Sequence, residues 1–159
     1  MTEAASLEAR IARLEAESEI RKLKARYLNA CDMKDVKVIR ACFHPDAELD
    51  YAPMGKFGLD QLIAVFTQIA VGSPIEDSHQ IHNGEIEIFD GGRAAARWSL
   101  SFTTYDPRSG SFRMMSGIYE DEYTKTGEGW RIMSSRHTPR LIVDGTLQDG
   151  AMQITPMMP

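Results

Sequence analysis

The strongest constraint on the fold is the second half of the chain, where four strand-like segments are separated by short turn sequences. The segments lie near residues 79–89, 94–104, 111–124 and 130–138, and DGGR, DPRSG and KTGEG separate them. Glycine, proline and aspartate in such short connections are typical of tight turns between antiparallel strands. The pattern therefore predicts an antiparallel meander of hairpins.

The first half of the chain has helical patterns instead. Residues 7–31 are rich in Ala, Glu, Arg and Leu, contain no Gly or Pro, and repeat apolar residues near helical spacing. A short helix is predicted over residues 35–43, with Asp35 as a good N-cap, and a third helix over residues 59–71. Between these two, the alternation in AELDYA predicts a half-buried strand.

Together these elements predict an α+β fold. We expect a strongly curved antiparallel sheet, wrapped around a pocket with the three helices of the N-terminal half, in a cone-shaped α+β barrel with an open mouth. The barrel domain is assigned to residues 1–144, including the long first helix. The tail, residues 145–159, has no hydrophobic period and two prolines, so it is either frayed or draped over the pocket as a lid.

Composition narrows the class of protein. A chain of 159 residues, 43% of them hydrophobic, fits one globular domain with a core and a pocket. The net charge of −5 and the lack of a basic block disfavour nucleic acid or an anionic membrane as partner. The longest apolar stretch is too short to span a bilayer, and the acidic N-terminus lacks the apolar core of a secretory signal. A soluble, cytoplasmic protein is expected.

Two histidines open the first strand of the meander, in the sequence EDSHQIHNGEIEIF. Side chains on a strand alternate between its faces, so His79 and His82 point to opposite sides and are not expected to share a metal. The apolar residues change parity between Ile81 and Ile86, which predicts a β-bulge near Gly84. With this bulge, His79 lies on the buried face and His82 on the outer surface.

Three stretches carry a resemblance to a known family. They are IRKLKARYLNACDMKDVKVIRACFHPDAELDY, SHQIHNGEIEIFDGGRAAARW and YEDEYTKTGEGWRI. In their order and pattern they resemble the SnoaL-like branch of the nuclear transport factor 2-like superfamily, over about residues 7–143. The resemblance implies the fold and leaves the activity open, because this fold hosts cyclases, isomerases, dehydratases, dehydrohalogenases and non-catalytic subunits.

Within that branch the chain resembles scytalone dehydratase, hexachlorocyclohexane dehydrochlorinase and bile acid 7α-dehydratase. These enzymes have an aspartate just after the first long helix and a histidine that opens the first meander strand, and the matching positions here are Asp32 and His79. The dehydratases also carry two tyrosines that match Tyr27 and Tyr51. The arginine of the bile acid enzyme falls on Arg140, in TPRL.

Two departures from the scytalone dehydratase pattern bear on the ligand. Trp98 stands where that enzyme has a second histidine, and Tyr119 stands where it has an asparagine. The apolar Trp98, together with Met114 and Met115, indicates a more apolar ligand, which would be steroid-like or polycyclic. The predicted substrate-binding residues are Trp98, Tyr119, Met115, Phe66 and Arg140.

The chemistry of these residue types fits proton transfer. Removing a proton next to a carbonyl needs a base with a pKa near the working pH, and histidine is the side chain that naturally has one. Asp32 would fix the tautomer of His79 and stabilise the imidazolium, and the phenols of Tyr27 and Tyr51 would donate hydrogen bonds to the carbonyl oxygen. The plainer alternatives are a helix cap for Asp32 and core packing for each tyrosine.

The sequence therefore indicates a cofactor-independent, dehydratase-like lyase for a cyclic, mostly apolar hydroxylated ketone, polyketide or steroid-like substrate. No Gly-rich phosphate loop or nucleophile elbow is present, and no step demands a metal, nucleotide or flavin. An isomerase or cyclase with the same dyad remains open, as does a non-catalytic ligand-binding or structural subunit. An interior holding Asp32 against His79 would favour the enzyme, and one plugged by Trp98, Phe102 and Met115 would favour the subunit.

The partners that we expect are a small hydrophobic molecule and further copies of the chain, as a trimer or a dimer. The first third of the long helix has a heptad-like apolar stripe, which would either pack on a neighbouring subunit or form a solvated helix end.

Overall fold

The computed structural model describes residues 6–70 and 74–155, and over these residues it has three helices and seven strands. In chain order they are α1 (Leu7–Asp32), α2 (Val36–Cys42), β1 (Phe43–Tyr51), β2 (Gly55–Gly58), α3 (Leu59–Ala70), β3 (Glu76–Phe89), β4 (Arg93–Asp106), β5 (Ser111–Thr126), β6 (Gly129–Gln148) and β7 (Ala151–Ile154). The α+β class is as predicted, and so is the order of the helices and strands that the sequence indicated; β2 and β7 were not predicted. Val71, the predicted end of the third helix, lies outside the described residues.

The strands form one highly curved, open sheet in the order β2-β1-β6-β5-β4-β3, with β7 paired to β6. The meander from β3 to β6 is antiparallel, as predicted. β1 runs parallel to β6, so the sheet is mixed rather than wholly antiparallel. Its inner face packs against the helices in a single hydrophobic core.

Polar caps set the starts of the first two helices. The Ser6 hydroxyl accepts a hydrogen bond from the Ala9 N–H at 3.2 Å, and the Asp35 carboxylate accepts one from the Val38 N–H at 3.1 Å. Both bonds satisfy an N–H group that has no partner within the helix. α1 enters the core only from Ala16 onward, because residues 7–15 are all exposed.

A β-bulge re-aims the side chains of β3, as predicted. The register between β3 and β4 shifts between His82 and Glu85, and Asn83 takes a left-handed conformation with φ of 49°. A Cβ atom at Gly84 would overlap the ring of Trp98, so only glycine fits there. The bulge keeps His79 and Ile81 before it, and Ile86 and Ile88 after it, on the inner face, and it leaves His82 exposed.

The C-terminal tail departs from its prediction. β6 continues through residue 144 to Gln148, and β7 folds back on it with Gly145 opposite Ile154. Residues 145–148 and 151–154 are therefore paired strands joined by a two-residue turn, and the expectation of a frayed tail is wrong for them. The lid role and the domain boundary after residue 144 stay predictions, and residues 156–159 lie outside the described part.

Over the described ranges, each helix is too short or too polar to cross a membrane.

Candidate active site

The last residue of α1 and the start of β3 meet in a carboxylate–imidazole pair. Asp32 Oδ1 lies 2.6 Å from His79 Nδ1. The His79 backbone N–H also donates to the same carboxylate, at 3.1 Å to Oδ1 and 3.2 Å to Oδ2. Asp32 thus holds both the ring and the backbone of His79, so the contact is as predicted, and its catalytic role stays a prediction.

The pair is partly open to solvent. The His79 side chain is 15% exposed and that of Asp32 is 23% exposed. The carboxylate occupies Nδ1, which leaves Nε2 as the nitrogen available to a ligand. Phe102, opposite His79 on β4, packs against the imidazole with ring centroids 4.4 Å apart.

A second ion pair flanks the dyad. Lys34 Nζ lies 3.2 Å from Asp77 Oδ2 and donates to the Asp32 backbone carbonyl at 3.3 Å. Asp77 precedes His79 by two residues on β3 and therefore shares its face. Lys34 links the end of α1 to β3, which fixes the two elements that carry the dyad.

The two predicted tyrosines also meet. The hydroxyls of Tyr27 and Tyr51 lie 3.2 Å apart, and the Tyr51 hydroxyl donates to Ser135 Oγ at 3.2 Å. Burial raises the pKa of Tyr27 well above its usual value and also raises the pKa of Tyr51. Both phenols are therefore neutral and able to donate a hydrogen bond.

Beneath the tyrosines is a buried ion pair that the sequence interpretation missed. Lys24 Nζ lies 2.8 Å from Asp121 Oδ2, and both side chains are 0% exposed. Burial lowers the pKa of Lys24, and the charge of Asp121 opposes this effect. Asp121 also accepts hydrogen bonds from Ser135 at 2.7 Å and from Tyr123 at 2.8 Å, so a continuous polar network runs from Lys24 to Tyr27.

Spacing could have located this pair. Ile20, Lys24 and Tyr27 share one helical stripe, and Asp121 alternates with two tyrosines that face inward. Charged residues are rarely fully buried unless paired, and the pairing itself depends on contacts across the fold.

His137 is a second residue that the sequence interpretation missed, because the predicted last strand ended near residue 138 and β6 continues to Gln148. His137 is 7% exposed and faces inward from the middle of β6. Trp130 and Ile132 face inward with even parity, and an extra residue, Met133, shifts the register so that Ser135 and His137 face inward with odd parity. Arg136 is exposed and lies 3.6 Å from Asp50.

The predicted substrate-binding residues divide into three groups. Trp98 and Tyr119 are buried in the core; the Trp98 indole N–H donates to Tyr123 at 3.1 Å, and Lys24 Nζ lies 3.6 Å from the centre of the Tyr119 ring. Met115 and Phe66 are half-buried at the edge of the core. None of these contacts tests their predicted role.

Arg140 is not brought to the dyad. It lines a depression of about 450 Å³ with His82, Ser99 and Ser101, whose strand positions place them on the sheet face opposite His79. Its predicted role in substrate binding stays a prediction.

Within the described residues, no three His, Cys, Asp or Glu side chains are grouped so as to hold a metal ion.

Comparisons with known proteins agree with this architecture. The profile of the SnoaL-like domain matches residues 12–136. No functionally curated protein has significant sequence similarity to the chain.

Three similar solved structures illustrate the range of related proteins. A "Putative Scytalone Dehydratase" from Novosphingobium aromaticivorans DSM 12444 has a TM-score of 0.76 and 20% identity, covering 86% of this chain and 91% of its own. Hexachlorocyclohexane dehydrochlorinase LinA-type3 from Novosphingobium barchaimii LL02 has a TM-score of 0.75 and 14% identity, covering 92% and 99%. A "Putative Aromatic Ring Hydroxylase" from Novosphingobium aromaticivorans has a TM-score of 0.72 and 18% identity, covering 89% and 94%.

Identities this low show a shared fold and do not transfer an activity. The family profile covers most of the chain, from the first half of α1 to the first half of β6. The chain therefore belongs to the SnoaL-like family of the nuclear transport factor 2-like superfamily.

Proposed function

We propose that this protein is a cofactor-independent lyase of the dehydratase type, acting on a cyclic, mostly apolar hydroxylated ketone, polyketide or steroid-like substrate. The observation that carries the proposal is the 2.6 Å contact between Asp32 Oδ1 and His79 Nδ1 in a pair that is partly open to solvent. A carboxylate on Nδ1 fixes the tautomer in which Nε2 is free to accept a proton.

His79 would act as the base. Its Nε2 takes the proton from the carbon next to the substrate carbonyl, and Asp32 stabilises the imidazolium that forms. As the carbon–carbon double bond forms, the bond to the leaving hydroxyl breaks. The imidazolium then returns its proton to the leaving oxygen, which departs as water.

Tyr27 and Tyr51 would stabilise the negative charge that develops on the carbonyl oxygen. Each phenol has one proton, and because Tyr51 donates its proton to Ser135, the hydrogen bond between the two tyrosines is donated by Tyr27. To bind the carbonyl oxygen, the Tyr51 hydroxyl would turn from Ser135 to the substrate, while Tyr27 continues to donate to Tyr51 and makes it a stronger donor. Ser135 keeps its own hydrogen bond to Asp121 during this change.

The similar structures support the general reaction class. Their names include a dehydratase and a dehydrochlorinase, and both reactions remove a proton and a leaving group from adjacent carbons. An isomerase or cyclase would use the same dyad and differ only in the product. Trp98 and Tyr119 fill part of the interior, which is the feature that a non-catalytic subunit would share.

A substrate screen tests the proposal. Hydroxylated cyclic ketones and steroids are incubated with the protein, and mass spectrometry detects the loss of one water from a substrate. His79→Ala should abolish that loss, whereas His82→Ala, an exposed histidine on the same strand, should retain it. Turnover that persists in His79→Ala would contradict the proposed base, and a product of unchanged mass would indicate the isomerase or the cyclase.

A further inference from the structure

The imidazole of His137 lies on the inner face of the sheet, between two tyrosines. In the register of the sheet, His137 lies opposite Tyr51 on β1 and opposite Tyr119 on β5. The centroid of its ring is 6.1 Å from that of Tyr51 and 4.9 Å from that of Tyr119. The residue is 7% exposed, so its surroundings are those of the interior.

One nitrogen of this imidazole has no hydrogen-bond partner among the residues that the structure describes. That nitrogen is Nε2, which is buried. Buried polar atoms are nearly always paired in folded proteins, because leaving one unpaired costs free energy. The unpaired Nε2 atom thus has an unused capacity to bind a polar group.

Gly117 makes room for the ring. A Cβ atom at this position would collide with His137 Nε2 and would lie 2.9 Å from the Thr138 carbonyl oxygen. The Nε2 atom can therefore lie close to Gly117 because this residue has no side chain.

His137 and the dyad share the same face of the sheet. His79, Phe102 and Met115 form one row across β3, β4 and β5, and Ile81, Leu100 and Gly117 form the next. His137 lies over Gly117, deeper in the fold than His79. Burial, and after it the charges of Lys24 and His79, lower the pKa of His137 to about 4, so the ring is neutral near pH 7.

We propose that His137 is a second substrate-contacting histidine, which hydrogen-bonds an oxygen of the substrate remote from the carbon that His79 deprotonates. A neutral imidazole carries one donor and one acceptor, so it suits a ketone or a hydroxyl. The inference rests on the proposed function and narrows its substrate class. The substrate is a cyclic apolar molecule with a further oxygen at the end that enters the interior first.

Binding of two small probes tests this without turnover. 2-Naphthol and naphthalene are flat, apolar bicyclic molecules that differ by one hydroxyl group. Protein labelled with nitrogen-15 in histidine is titrated with each probe, and the His137 ring resonances are assigned by their absence from His137→Phe. We expect 2-naphthol to shift the His137 resonances and naphthalene to leave them in place.

Affinities provide the second readout. The wild type should prefer 2-naphthol to naphthalene by about tenfold, the effect of one buried hydrogen bond. His137→Phe should remove the preference, His137→Gln should keep part of it, and the surface control His82→Gln should keep all of it. Circular dichroism establishes that each variant is folded.

The inference is overturned if saturating 2-naphthol leaves the His137 resonances unchanged, if 2-naphthol does not bind, or if His137→Phe keeps the preference. The two experiments together distinguish a failure of this inference from a failure of the proposed function. If turnover survives in His79→Ala while His137 still responds to 2-naphthol, only the dyad mechanism fails. If turnover depends on His79 and the His137 resonances do not shift with 2-naphthol, only the present inference fails.

Discussion

At the scale of single residues, polar groups occur in two environments. Asp32 and His79 are partly open and can meet a ligand, whereas Lys24 and Asp121 are closed off completely. A buried ion pair is costly to desolvate and seldom adds much net stability, but removing one partner is strongly destabilising. The closed pair therefore suits a positioning role, in which it holds Ser135 and the tyrosines in place.

The first prediction concerns the dyad. His79→Ala should remove nearly all turnover, and Asp32→Asn should lower kcat by about 10² to 10⁴, because the amide cannot stabilise the imidazolium. The double variant should be no worse than His79→Ala, since the two residues act as one unit. Steady-state kinetics of the three variants measure this, and additive losses would argue against a shared function.

The second prediction concerns Tyr51. If its phenol only polarises a carbonyl, Tyr51→Phe should lower kcat by about tenfold to a hundredfold, less than either dyad variant. KM should change little if the hydrogen bond strengthens only in the transition state. An effect confined to KM would assign Tyr51 to ground-state binding instead.

The third prediction concerns pH. Because the pKa of His137 is lowered from 6.5 to about 4, the folded state binds fewer protons at this residue than the unfolded state. Stability should fall as pH drops from about 6.5 to about 4 and then level off, a loss of up to about 3 kcal/mol from this group. Urea unfolding of the wild type and of His137→Phe should diverge over this window. Parallel pH profiles for the two proteins would contradict the assignment.

At the scale of the elements, the bulge in β3 decides which side chains enter the interior. Gly84 lies directly against Trp98, where there is no room for a side chain, and the register shift there separates His82 from the inner face. In a straight strand, either His79 and Ile81 or Ile86 and Ile88 would point outward. The bulge is thus the local feature that aligns His79 with the core.

The fourth prediction tests the bulge. Gly84→Ala should lower the free energy of unfolding by about 1 to 3 kcal/mol, because the new methyl group overpacks against the Trp98 ring. Gly127→Ala is the matched control, since a Cβ atom there meets nothing within 4 Å. Chemical denaturation measures both variants, and equal stabilities would show that the Trp98 ring moves aside at no cost.

At the scale of the whole molecule, the described surface has an apolar stripe that the fold does not cover. Leu7, Ile11 and Leu14 follow one side of α1 and are 70%, 46% and 65% exposed. Contiguous apolar residues at this spacing are typical of helix packing between subunits. We therefore retain the prediction of a homo-oligomer.

The fifth prediction concerns the mass of the protein in solution. Light scattering at micromolar concentration should give two or three times the monomer mass of 17.8 kDa. The double substitution Leu7→Glu, Leu14→Glu should shift the mass toward the monomer, whereas Ala12→Glu, exposed on α1 and outside the stripe, should not. A monomeric wild type would leave the stripe as a solvated helix end.

Much of this fold is determined by short segments of the sequence and could be predicted from them. The bulge follows from a parity change within EDSHQIHNGEIEIF, and the contact between Asp32 and His79 follows from a helix end, strand parity and the family resemblance. What was missed depends on distant pairing. Met133 reverses the parity of β6 only because β5 shifts register there, and the strands after residue 144 exist because β6 and β7 pair with each other.

The placement of Lys24, Tyr27 and Asp32 on one helix has a consequence for how the protein can be assayed. All three lie in the part of α1 that docks on the sheet, so detaching that helix dismantles the proposed site in one step while the β3–β6 ladder can persist. Turnover would then be an all-or-none reporter of helix docking. Under mild denaturant, activity should disappear together with the amide protection of α1 and ahead of that of the central strands.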